Sequence, residues 1–188
     1  MKQTKRVGLN SASGFSLVEL MVVVAIIGIL AAMSVGQVQK QIAKSRQAEA
    51  KTNLASLYTS EKSFYAEYAA YASSFNVIGT GFEGNLRYNT GFSNNQLPPL
   101  GYTGAPQNGI ITSAAFCAAP PPPGAAIPCV MIPSNGVPHL EGAVAAAAAT
   151  TPTTFQAGAI ADIYTGGVVD TWTINETKTI ANPVAGIP

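Results

Sequence analysis

The chain has 188 residues, and only 10% of them are charged, for a formal net charge of +1. That length holds one membrane-spanning segment and one modest domain. Three of its basic residues, Lys2, Lys5 and Arg6, precede residue 14, and the remainder is mildly acidic, so no basic patch of the kind nucleic acid requires is present.

Residues 1–14 are polar and basic. From Phe15 to Val35 the chain is apolar apart from Glu19, and from Leu20 to Met33 nothing is charged or strongly polar. This run matches the roughly 20 residues a helix needs to span a bilayer. A basic segment ahead of it puts the N-terminus in the cytoplasm and the rest outside. Two other readings exist. One is a plain signal anchor, with Glu19 a tolerated acid. The other is a secretory signal peptide, for which Ala31-Ala32-Met33-Ser34 makes a weak cleavage site. A carboxylate at the start of an apolar helix costs on the order of 3 kcal/mol on insertion, which marks Glu19 as a functional residue by default.

Gly14-Phe15-Ser16-Leu17-Val18-Glu19 and the apolar run behind it resemble the type III signal sequence of type IV prepilins and pseudopilins. The resemblance implies several things. A prepilin peptidase would cut between Gly14 and Phe15 and N-methylate Phe15. Residues 1–14 would be a leader, 15–36 the filament-core half of a long helix, and 37–188 an extracytoplasmic head. Glu19 would serve assembly. The partners implied are further copies of the chain, the peptidase, an inner-membrane assembly platform, and membrane lipid before assembly. Many members of the family carry proline where this chain has Gly36, so a bend there is permitted rather than imposed.

Residues 37–75 contain neither proline nor glycine and are rich in Ala, Gln, Lys and Glu. Leu54, Leu57, Tyr58, Phe64, Tyr65, Tyr68, Tyr71 and Phe75 recur at helical spacing. One helix is expected from about Phe15 to about Ala72, apolar all round in its first half and amphipathic in its second. The aromatic stripe reads as a face packed on a sheet. Spacing alone does not separate that from a stacked path for electrons.

After Phe75 glycine, proline, asparagine and threonine dominate. Short strands are expected at Leu86–Thr90, Ile110–Phe116 and Cys129–Ile132. Cys117 and Cys129 fit a disulfide closing a loop of about a dozen residues, and that loop contains Pro120 to Pro123. The alanine run 143–149 is undecided between a helix and a flexible segment. Thr150 to Thr154 reads as a surface loop and a low-specificity O-glycan site, and Asn175-Glu176-Thr177 as a chance match to the N-glycan pattern. The C-terminal part alternates, with Phe155, Ala157, Ala159, Ala161 and Ile163 on one side. With Val168–Ile174 and Lys178–Ile180 this predicts a three-stranded antiparallel meander. The fold class is therefore α+β, pilin-like, with one long helix on a small antiparallel sheet.

No catalytic constellation is apparent. His139 is the lone histidine, and there is neither metal-ligand spacing nor a phosphate loop, so no cofactor is expected. Asp162, Asp170 and Glu176 are too dispersed along the chain to claim a calcium site. The resemblance implies a structural subunit of a surface filament used for adhesion, twitching motility or DNA uptake. A secretion pseudopilin or minor pilin is the alternative, and a non-polymerising single-pass protein a more distant one. The location implied is the inner membrane and then the extracellular pilus, or the periplasm for a pseudopilin.

Overall fold

From Leu17 to Tyr68 no proline interrupts the chain, and the helix is continuous through the Val- and Ile-rich run and two glycines. In the computed structural model it is α1, Leu17–Tyr68. The structure describes residues 14–120, 128–132, 150–164 and 169–187. Residues 1–13, His139, most of the proline run, the alanine run and the turn after Tyr164 lie outside the described residues. The chain divides into two compact units at the Val38–Gln39 boundary. The first contains the apolar part of α1, and every described residue in it is exposed.

The second unit begins with the amphipathic part of α1. Its buried positions are Ala43, Ala50, Leu54, Leu57, Glu61 and Phe64, a spacing of three, four or seven that keeps one face inward. The helix stops at Tyr68, earlier than the expected Ala72. No glycine or proline marks the end. Instead Ala69 turns left-handed (φ 52°), and the following backbone bonds to the loops of the head. Tyr71 N–H donates to Pro152 O and Ser73 N–H to Gln96 O. Tyr71 and Phe75 therefore leave the helical stripe. Phe75 opens a single turn, α2 (Phe75–Ile78).

Two sheets follow. β1 (Gly84–Leu86) pairs in parallel with β3 (Cys129–Met131). β2 (Asn89–Gly91), β4 (Gln156–Ala161), β5 (Asp170–Asn175) and β6 (Ile180–Val184) form an antiparallel sheet in the order β2-β4-β5-β6. The predicted meander is its last three strands. Phe155, Ala157, Ala159, Ala161 and Ile163 are all buried, as their alternation required, and share one core with Leu54, Leu57 and Phe64 of α1. A ring contact of 6.1 Å between Tyr58 and Phe155 joins helix to sheet. The aromatic stripe thus contributes to a packed core.

Two predicted strands are corrected. Leu86–Thr90 is not one strand but two. The Arg87 and Tyr88 N–H groups, between β1 and β2, both donate to Glu49 Oε1 on α1, at 2.6 and 3.0 Å, and so interrupt the strand. Ile110–Phe116 is mostly not a strand. Ser113–Ala118 forms helix α3, with the Thr112 hydroxyl accepting from Ala115 N–H as its N-cap. Only Thr112 bridges Gly91, and the approach is close. A Cβ on Gly91 would lie 2.1 Å from Ile111 O, so only glycine fits there. The Cys117–Cys129 disulfide ties α3 to β3.

Asp170 holds the unit together. Its carboxylate is fully buried and accepts five hydrogen bonds. Tyr88 Oη and Trp172 Nε1 donate to Oδ2, each at 2.6 Å. Gln47 Nε2, Asn182 Nδ2 and Gly186 N–H donate to Oδ1 at 3.0, 3.2 and 2.8 Å. Burial, and then the bond to Asp170, push the Tyr88 hydroxyl well above the usual tyrosine range. Asp170 has no lone pair to spare for a metal ion. Asp170→Asn turns an acceptor into a donor amid these groups. It should cost about 3 kcal/mol, seen as a lower thermal midpoint, against about 1 kcal/mol for Asn182→Ala.

Glu61 is the opposite case. It is fully buried, and neither carboxylate oxygen meets a partner at hydrogen-bond geometry. Burial pushes its carboxyl from 4.5 up to about 8, with the Ala72 backbone opposing by less. The folded protein therefore keeps a proton that the unfolded chain releases. Stability should fall as pH rises from 4.5 to about 8 and level off above that. Denaturant titrations across this range should show the decline, and Glu61→Gln should flatten it and raise stability at pH 8.

Candidate assembly site

The candidate site is the beginning of α1. Gly14, Phe15 and Ser16 precede the helix, and Glu19 lies in its first turn. The Ser16 N–H donates to Glu19 Oε2 at 3.1 Å, and Ser16 O accepts from Leu20 N–H at 3.2 Å. Ser16-Leu17-Val18-Glu19 is thus a capping-box sequence, with the acid reaching back to a backbone donor that the helix cannot satisfy. An anion here also meets the positive end of the helix dipole. The reading of Glu19 from sequence missed this role, although the Ser-x-x-Glu spacing carried the signal. Oε1 has no partner among the described residues and stays open to another donor.

Phe15, Ser16, Val18, Glu19, Val22 and Val23 border an open surface around this carboxylate. Beyond it the helix offers nothing polar outward. An 18-residue window reaches a mean hydropathy of 2.6, long and apolar enough to cross a membrane. Phe15 is 83% exposed and Met33 74%. The Ser34 hydroxyl returns to Leu30 O at 2.8 Å, so it is satisfied within the helix. Hydrogen-bonded helix runs through Gly28 and Gly36, and among the described residues nothing outside the adjacent helix backbone lies within 4 Å of where their Cβ atoms would be. Phe15 and Glu19 are thus brought to one end of the apolar helix, while Cys117 and Cys129 are bonded to each other in the other unit.

Residues 9–35 match the family model of the prokaryotic N-terminal methylation motif. Over 75 residues the chain is 53% identical to the type IV major pilin protein PilA of Myxococcus xanthus (strain DK1622), covering 40% of this chain and 34% of that one. The N-terminal region of the chain is thus similar to that of type IV pilins. Over 89 residues it is 32% identical to a fimbrial protein of Pseudomonas aeruginosa, covering 47% of this chain and 54% of that relative. The chain therefore spans between a third and about half of the length of the curated relatives it matches.

The cap and the charge of Glu19 can be separated. Glu19→Gln keeps an oxygen that accepts from Ser16 N–H, whereas Glu19→Ala removes it. In detergent micelles, amide exchange at Ser16 should stay slow in the glutamine variant. It should quicken in the alanine variant by an amount equivalent to about 1 kcal/mol.

Proposed function

We propose that the chain is cleaved between Gly14 and Phe15, N-methylated on Phe15, and polymerised through the apolar part of α1 into a surface filament. The observation that carries this reading is the apolar run itself. From residue 14 to 38 no side chain is buried by the chain's own fold. Large apolar side chains left in water forgo roughly 1.5–3 kcal/mol each relative to burial. Lipid covers them before assembly, and the same helices from other copies cover them afterwards. The partners are thus further copies of the chain, with a prepilin peptidase and an inner-membrane platform acting on the membrane-held subunit. The fibre then serves adhesion, twitching motility or DNA uptake.

Glu19 sets register in this assembly. A carboxylate left alone in an apolar core costs several kcal/mol, so packings that strand it are rejected. The positively charged N-methyl amine of Phe15 on a neighbouring copy is the natural partner, and Oε1 has room to meet it while Oε2 keeps the helix cap. Both Glu19→Gln and Glu19→Ala should then be cleaved normally and fail to assemble. If the cap alone mattered, the glutamine variant would polymerise. Gly14→Val should block cleavage.

Filaments sheared from cells, with the N-terminal residue and mass of their main protein measured, test the whole reading. An abundant chain that begins at N-methylated Phe15 is the expected result. Cleaved protein confined to membranes would instead mark a pseudopilin or minor subunit. A chain still beginning at Met1 would overturn the proposal.

A further inference from the structure

Just past its apolar run, α1 carries two ammonium groups that the fold leaves alone. Lys40 and Lys44 are the first basic residues after Arg6, and Lys40 comes about one helical turn beyond Gly36. Four residues apart, they share one face, about 40° from each other around the helix. Lys44 is exposed and Lys40 half-buried. Neither makes a hydrogen bond, an ion pair or a ring contact with any other residue of the chain. The other charged groups nearby on α1 are engaged. Arg46 Nη1 donates to Ile163 O at 2.8 Å, and Glu49 Oε1 accepts from the Arg87 and Tyr88 N–H groups. Lys51 Nζ lies 4.5 Å from the centre of the Trp172 ring. Glu61, the next acid along the helix, is fully buried.

The sequence ahead of the two lysines selects what they meet. Nothing charged separates Glu19 from Lys40, and Gln37 and Gln39 are the last neutral polar residues of that interval. A helix that spends an apolar run of this length on the hydrocarbon core brings the residues just beyond it out among lipid headgroups. Lysines at such a helix end lay their stems along apolar surface and extend the ammonium to the polar layer. The charge balance points the same way. Residues 37–51 hold four cations, Lys40, Lys44, Arg46 and Lys51, against the single acid Glu49. Cations next to a membrane-spanning helix are drawn to anionic lipid.

We propose that Lys40 and Lys44 bind the phosphate groups of anionic phospholipids and so fix the depth at which the unassembled chain sits in the bilayer. This rests on the reading that lipid covers the apolar run before assembly. The fold makes no use of either ammonium group, so the contact belongs to the membrane-held state and is given up when a subunit leaves the bilayer.

Trp172 is the single tryptophan, and its neighbour Lys51 lies about two turns past Lys44 on the same face. It serves as the reporter. The full chain is reconstituted in phosphatidylcholine vesicles that hold a trace of either phosphatidylglycerol or phosphatidylcholine labelled with pyrene on an acyl chain. Energy transfer from Trp172 should be stronger to the labelled phosphatidylglycerol, and added salt should narrow the difference. Lys40→Gln combined with Lys44→Gln should lower the preference for phosphatidylglycerol about fivefold or more, while the paired arginine substitutions should keep it. The basic residues before Gly14 are the same in every variant, so they do not account for a change. The thermal midpoint should be unaltered, because neither lysine has a partner in the fold. Equal transfer to the two lipids in the unaltered chain would overturn the proposal. So would a preference that survives in the glutamine double variant, which would leave these lysines for contacts between copies. No transfer to either label would overturn the lipid reading itself, and this proposal with it.

Discussion

A buried carboxylate with five donors decides how the Gln39–Pro188 unit is built. Asp170 takes hydrogen bonds from α1, from the stretch between β1 and β2, from its own strand, from β6 and from the segment beyond it. An anion in a low-dielectric core is tolerable only when its lone pairs are met. Each of these elements must therefore be in place before the charge is properly housed. Gly186 shows how tight the arrangement is, because a Cβ there would sit 2.6 Å from the Asp170 Cβ.

The helix that supplies one of those donors changes character along its length. Past Val38 its inward face is divided between small residues, Ala43 and Ala50, and larger ones, Leu54, Leu57 and Phe64. The alanines of β4 meet the same core and add little bulk of their own. Before that boundary every described residue of the helix is exposed. The same secondary structure thus has one amphipathic half with a buried face and another that is apolar all round.

Patterns of hydrophobicity made much of this legible. The apolar run, the C-terminal alternation and the cysteine pair each reflect a local or strictly periodic rule. The misreadings arose where distant groups overrode local preference. Leu86–Thr90 has a strand's composition, but Glu49 claims the amides of Arg87 and Tyr88. Ser113–Ala118 follows two isoleucines that look like strand, while the Thr112 cap turns the chain into a helix. Glu61 occupies an inward position between Leu57 and Phe64, and no pattern rule anticipates a carboxylate there without a partner. The role of Asp170 depends on partners spread from Gln47 to Gly186, which no local window spans.

Strand order has a consequence for how the head comes into being. β2 is an edge strand whose neighbour β4 begins only at Gln156, and the sheet is completed by β6. Its contacts are long-range, so loop closure must precede most of the stabilising pairings, and such topologies fold slowly. A chain emerging N-terminus first would hold α1 ready, with its Leu54 and Phe64 face uncovered, until the last hairpin arrived. Closure of the head is therefore a late, all-or-none event, timed by delivery of the final strand.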